Sequence, residues 1–79
     1  MTPTLEDIQT TVRLQLGLKE SPNPKTHIIE ELGAESADIV NLIATLEEKY
    51  QISVGEEELI TIHTAADLHT LVKNHLEQT

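Results

Sequence analysis

The chain has 79 residues, 14 of them acidic and 5 basic, a formal charge of −9, no cysteine, no Phe or Trp and a single Tyr. Such a length holds one domain and no second, and the missing cysteines exclude disulfides and thiolate metal sites. So acidic a surface turns away nucleic acid and anionic membranes and favours partners with basic patches.

An interior without Phe or Trp must be built from Leu, Ile, Val and Ala, which predicts short packed helices rather than a sheet. Thr4, with Asp7 three residues on, caps a first helix whose apolar stripe is Leu5, Ile8, Val12 and Leu16; Gly17 ends it. Residues 17–35 form a long connection in which Ser21-Pro22-Asn23-Pro24 cannot be helical, while Ile28, Ile29 and Leu32 are expected to pack on the core. A loop of that length in so small a domain is functional or well packed.

A second helix opens at Ser36 and runs to about Tyr50. Ile39, Leu42, Ile43, Leu46 and Tyr50 share one face, with Val40 at its margin. Ala37, Asp38, Asn41, Ala44, Thr45 and Glu48 lie opposite and include no base. Ile52-Ser53-Val54-Gly55 breaks the helix, and Glu56-Glu57-Glu58 opens a short third one through Leu59 and Ile60, its acids suited to a helix N-terminus. Thr64 with Asp67 caps a last helix to about Leu76, burying Ala65, Leu68, Leu71, Val72 and Leu76. The expected fold is all-α, a small antiparallel four-helix bundle with three longer helices and one short, in a single domain spanning 1–79.

The junction Leu32-Gly33-Ala34-Glu35-Ser36-Ala37-Asp38 sets one serine where a turn becomes a helix. Its hydroxyl faces the positive end of the helix dipole, where a phosphate ester would be stabilised. The bland reading of Ser36 is an ordinary helix cap.

Together with the helix it opens, the junction resembles the acyl carrier protein family. That family's signature is a Gly-x-Asp-Ser-Leu junction followed by Val-x-Leu-Val-x-x-Leu-Glu-Glu-x-Phe. This chain has Gly33-Ala34-Glu35-Ser36-Ala37, then Val40-Asn41-Leu42-Ile43-Ala44-Thr45-Leu46-Glu47-Glu48-Lys49-Tyr50. Ile52, Val54, Glu56-Glu57-Glu58, Ile62 and Thr64 continue the likeness, which covers nearly the whole chain.

The resemblance implies a non-catalytic carrier. Ser36 would be esterified by 4′-phosphopantetheine, donated from coenzyme A by a separate phosphopantetheinyl transferase, and the arm's thiol would hold acyl groups as thioesters. Glu35, Ala37, Asp38, Asn41, Glu47 and Glu48 would face acyl-loading, condensing and tailoring enzymes with basic docking patches, with Glu56 and Glu57 as outlying contacts. Electrostatic docking of that kind suits a carrier that visits several enzymes in turn. Val40, Leu46, Val54, Leu59, Ile62 and Leu68 would line a gap for the acyl chain between the second and third helices. Plain core packing accounts for the same residues.

The departures from the pattern are Glu35 for Asp, Ala37 for Leu, Asn41 for an acid and Ala44 for a large apolar residue. They point to a specialised carrier with its own partners, in fatty acid, lipid or polyketide synthesis, rather than the housekeeping one. An aminoacyl or D-alanyl carrier, or an unmodified acidic helical interaction protein, are the alternatives. His63, His69 and His75 recur every six residues and so spread around a helix, which argues against a metal site; His27 lies in the loop. The acid run at Glu56 lacks the spaced oxygen ligands of a calcium loop. No apolar run is long enough for a membrane span. Met1-Thr2-Pro3-Thr4-Leu5-Glu6-Asp7 lacks the basic and apolar regions of a signal peptide, so a cytoplasmic location is expected, and the polar, highly charged surface of the second helix predicts a monomer.

Overall fold

The computed structural model describes residues 2–77. It has four helices, α1 (Leu5–Leu16), α2 (Ser36–Tyr50), α3 (Glu56–Leu59) and α4 (Ala65–Glu77), and no strand among the described residues. Helices α1, α2 and α4 pack against one another, and the four-residue α3 rides on their edge with none of its residues buried.

Ile8 and Val12 of α1, Ile39, Leu42, Ile43 and Leu46 of α2, and Leu68 and Val72 of α4 meet in one core, closed by Ile28 and Ile62 from the connections. This is the helical stripe expected from the apolar spacing. Three details differ from it. Thr11 of α1 is buried as well, its hydroxyl donating to the Asp7 carbonyl at 3.0 Å, so a polar residue enters the stripe without an unpaired group. Leu5, Leu16, Tyr50, Leu71 and Leu76, expected within the buried faces, are only half-buried because they sit at helix ends or at the edge of the packed face. Ile29, expected to pack down, is 45% exposed.

Each helix end has a local cause. Thr4 and Asp7 exchange backbone-to-side-chain bonds of 2.9 and 3.1 Å at the start of α1, and those bonds from Thr4 hold the Asp7 carboxyl below its ordinary range. Gly17, in the left-handed region with φ 69°, closes the other end, and Leu18 N–H donates to the Arg13 carbonyl at 2.9 Å. Helix α2 ends at Tyr50, as expected, and its C-cap Gln51 takes the left-handed conformation with φ 56°. Its Nε2 donates to the Glu48 carbonyl at 2.7 Å, so a side chain does part of the work that glycine does at Gly17.

Thr64 and Asp67 form a second reciprocal pair at α4, with bonds of 3.0 and 3.1 Å, and Asp67 also accepts from His63 N–H at 2.9 Å. Partial burial by itself would raise the Asp67 pKa; hydrogen bonds from His63 and Thr64 outweigh it and hold the carboxyl below the ordinary 3.8. A carboxyl whose folded-state pKa is depressed contributes stability above its unfolded pKa and loses it as pH falls through the folded value. Asp67→Ala should therefore cost about 1 kcal/mol at neutral pH. Thermal melts should show the gap from wild type closing as the pH falls below about 4, and a pH-independent gap would refute the assignment.

The long connection from Gly17 to Glu35 is packed down. Gln9 Nε2 donates to the Pro22 carbonyl at 2.8 Å, Ala66 N–H to the Pro24 carbonyl at 3.1 Å, and Ile28 N–H to the His63 carbonyl at 2.8 Å. The last belongs to a one-residue antiparallel bridge between His27 and Thr64. That bridge lays the loop before α2 against the α3–α4 connection and so builds a wall beside the start of α2.

Candidate functional site

Ser36 is the first residue of α2, and Glu35 is the N-cap. Glu35 N–H donates to the Asp38 carboxylate at 2.9 Å, and Asp38 N–H donates to the Glu35 carbonyl at 2.9 Å. The capping is done by its neighbours, so the Ser36 side chain has no capping duty. It is exposed, and its hydroxyl makes no hydrogen bond within the described residues. Gly33, at φ 73°, supplies the left-handed turn that brings the chain into the helix start, and buried Ala34 pins the turn through Ala34 N–H to the Ile28 carbonyl at 3.3 Å. The exposed hydroxyl stands beside the free N–H groups of a helix start, a place where negative charge is electrostatically favoured.

From Ser36 a groove of about 380 Å³ opens between α2, α3 and the two connections. Ile29, Ile39, Val40, Leu59, Ile60 and Ile62 line it, with Ser36 and His63 completing the wall. Its mouth is apolar and wet: Val40 is 53% exposed and Ile60 77%. Val40 and Ile60 thus set exposed apolar surface on the same groove as the Ser36 hydroxyl. A depression of about 450 Å³ at the far end of α2, lined in part by Asp7, Lys49 and Tyr50, lies away from Ser36.

Of the residues expected to line an acyl gap, Val40, Leu59 and Ile62 lie on this groove. Leu46 and Leu68 do not, since both are sealed inside the three-helix core, and Val54 sits half-buried against that core. Periodicity along one helix cannot separate residues facing another long helix from those facing a short one. Ile29, Ile39, Ile60 and His63 are groove residues that sequence reasoning missed. Ile29, Ile60 and His63 arrive through the bridge between the two connections, for which no local pattern exists.

Glu35, Glu48, Glu56 and Glu57 are exposed to solvent. Asp38 and Glu47 are partly committed: Asp38 caps α2, and Glu47 accepts from Val54 N–H at 2.8 Å, tying the α2–α3 connection to the helix. Ala37 and Asn41 are exposed on the same side of α2 as Glu48. No Lys or Arg among the described residues lies within ion-pair distance of a carboxylate; the ion pairs present are His27 with Glu30 at 3.7 Å and His75 with Glu58 at 2.9 Å. The acids are thus left uncompensated around α2. Glu58 differs, its pKa lowered by Gly55 N–H and then by His75, and it joins α3 to α4.

Comparison with known proteins bears on the family and the fold. The family model for the phosphopantetheine attachment site matches residues 6–72. The acyl carrier protein of Chlamydia caviae is 35% identical over 69 residues, which cover 86% of this chain and 90% of that protein. Among solved structures, the holo acyl carrier protein of Geobacter metallireducens superposes with a TM-score of 0.81 at 26% identity, over 96% of this chain and 88% of that one. The oxytetracycline acyl carrier protein superposes with a TM-score of 0.80 at 22% identity, over 99% and 86%.

Proposed function

The chain belongs to the acyl carrier protein family, whose members bear covalent 4′-phosphopantetheine, and on that premise we propose that Ser36 is its attachment residue. The observation that carries this reading is an exposed, unbonded hydroxyl at the first position of α2, opening onto an apolar groove. A phosphopantetheinyl transferase would supply the base that takes the Ser36 proton. The hydroxyl oxygen would then bond to phosphorus as the pyrophosphate link of coenzyme A breaks and adenosine 3′,5′-bisphosphate leaves. No hydrogen bond joins Ser36 to a base within the described residues, which fits a substrate of such an enzyme rather than a self-activated nucleophile.

The groove fits the arm's cargo. Its lining is aliphatic, and α3, which forms one side, contributes no buried residue and should yield at little cost to an entering chain. An acyl thioester folded into it would be shielded from water between visits to enzymes. The test is the intact mass of the full chain after incubation with coenzyme A, magnesium and a broad-specificity transferase. A gain of one phosphopantetheinyl unit supports the reading, and no gain with several transferases refutes it.

The exposed carboxylates of Glu35, Glu48, Glu56 and Glu57, with Asp38 and Glu47 adding field, would dock basic patches on loading, condensing and tailoring enzymes. The cargo is an acyl intermediate of fatty acid, lipid or polyketide synthesis, and the domain acts as a cytoplasmic monomer over residues 1–79. Ala37 and Asn41 stand where the family pattern has an apolar anchor and a charge on the docking side, which supports a partner set of the chain's own. Restoring them with Ala37→Leu and Asn41→Glu should raise kcat/KM with general fatty acid synthesis enzymes about tenfold, as roughly 1.4 kcal/mol of added complementarity would. Unchanged kinetics in both variants would count against a specialised partner set.

A further inference from the structure

The groove beside Ser36 has an imidazole side that neither the family assignment nor the apolar lining accounts for. His63 lines the groove with Ser36. It also lines a smaller adjoining cavity, about 240 Å³, with His27, Ile29, Glu30 and Ile62. The two imidazoles lie against each other, ring centroids 5.8 Å apart and tilted by 31°. None of the five Lys and Arg residues lines either cavity, so these rings are the groups in this region able to take positive charge.

The other histidines are already engaged. His75 Nε2 is bonded to Glu58 at 2.9 Å and His69 Nε2 to the Pro3 carbonyl at 3.1 Å. His27 Nδ1 lies 3.7 Å from the Glu30 carboxylate. Only the His63 ring, among the described residues, has neither a hydrogen bond nor an ion pair; it lies against the His27 ring and feels the Asp67 carboxylate through space. The groups around it are otherwise acidic. Glu30 and Glu31 lie close after His27 on the connection, Asp67 accepts the His63 backbone N–H from α4, and Glu35 and Asp38 flank Ser36 at the start of α2.

A phosphodiester on Ser36 therefore enters a field of carboxylates in a chain of charge −9. The helix start offers it N–H groups, but no fixed cation. We propose that His63, backed by His27, is a positioning residue that pairs as imidazolium with the phosphodiester of the Ser36-linked arm and holds the arm along the groove. The proposal rests on Ser36 being the attachment residue. Protonation strengthens the pairing and deprotonation releases it, because imidazole changes charge between about pH 5 and 8. The arm is then held against the groove while His63 is protonated and swings more freely once it is neutral.

The test uses the full chain in unmodified and phosphopantetheinylated forms, with modification verified by intact mass. NMR follows the His63 ring resonances against pH in both forms, and the phosphorus resonance of the arm in the modified one. The His63 midpoint should move to higher pH on modification by about half a unit, roughly a threefold gain in proton affinity, as a nearby anion at a solvent-screened site produces. The phosphorus resonance should titrate at the same midpoint and lose that step in His63→Gln, whose side chain is exposed in the native protein and whose removal breaks no side-chain hydrogen bond. A modified protein whose His63 midpoint does not move, or whose phosphorus step survives His63→Gln, overturns this proposal alone. Failure to gain mass overturns the Ser36 assignment and this proposal with it.

Discussion

Ser36→Ala is expected to abolish phosphopantetheinylation completely while leaving the melting temperature within about 2 °C of wild type. Both halves follow from position. The hydroxyl is the only group at that residue that could form the phosphate ester, and alanine has none. The structural half is less obvious, because serine at a helix start is so often a cap whose loss costs about 1 kcal/mol, or roughly 4–8 °C in a domain of this size. Here the N-cap is Glu35, the reciprocal bonds run between Glu35 and Asp38, and the Ser36 side chain bonds to nothing in the described chain. Alanine at the first helical turn costs nothing in propensity. A loss of modification accompanied by a large fall in melting temperature would mean that Ser36 is a structural residue after all.

Leu46→Ala should have the opposite signature: a destabilisation of about 3 kcal/mol, in the range for a buried leucine truncated in a close-packed core. Leu46 is 1% exposed and sits in the cluster where α1, α2 and α4 converge. A chain of 79 residues has a total stability of roughly 4–12 kcal/mol, so this one change removes a large share of it and should lower the melting temperature by roughly 12–24 °C. Leu59→Ala is the contrast, because Leu59 is only half-buried and lies on the groove. It should cost little more than about 1 kcal/mol, while protection of a bound acyl thioester from hydrolysis falls. If Leu46→Ala left the melt nearly unchanged and instead altered acyl protection, the groove would extend deeper than the structure places it.

These contrasts show how far the amino-acid sequence reaches by itself. Helix positions were legible because their signals are local: Thr4 with Asp7, Thr64 with Asp67, Gly17 after a stripe, and apolar residues three and four apart. Each rests on interactions within one turn, so neighbours in sequence are neighbours in space. Ser36 was legible for the same reason, since a glycine turn, an acid and a serine ahead of an amphipathic helix define a junction without reference to the rest of the chain. The acidity of α2 and the scarcity of compensating bases needed only counting.

The groove could not be read that way. Val40 and Leu46 are both apolar residues of one helix, yet one is 53% exposed at a groove mouth and the other is sealed in the core. Their difference depends on what stands opposite, a short α3 or the long α1 and α4. Ile29 and His63 come together through the bridge of His27 to Thr64, which joins segments 37 positions apart in the numbering, and the pairing of His63 with His27 has no sequence signature. Glu47 and Asp38 looked like free surface acids until the fold gave them N–H partners. The sequence by itself determined the helices, the junction at Ser36 and the acidic charge, because those follow from local chemistry and composition. Only the tertiary structure decided which side chains line the groove beside Ser36, since that is set by which elements pack together, and packing is a property of distant residues meeting.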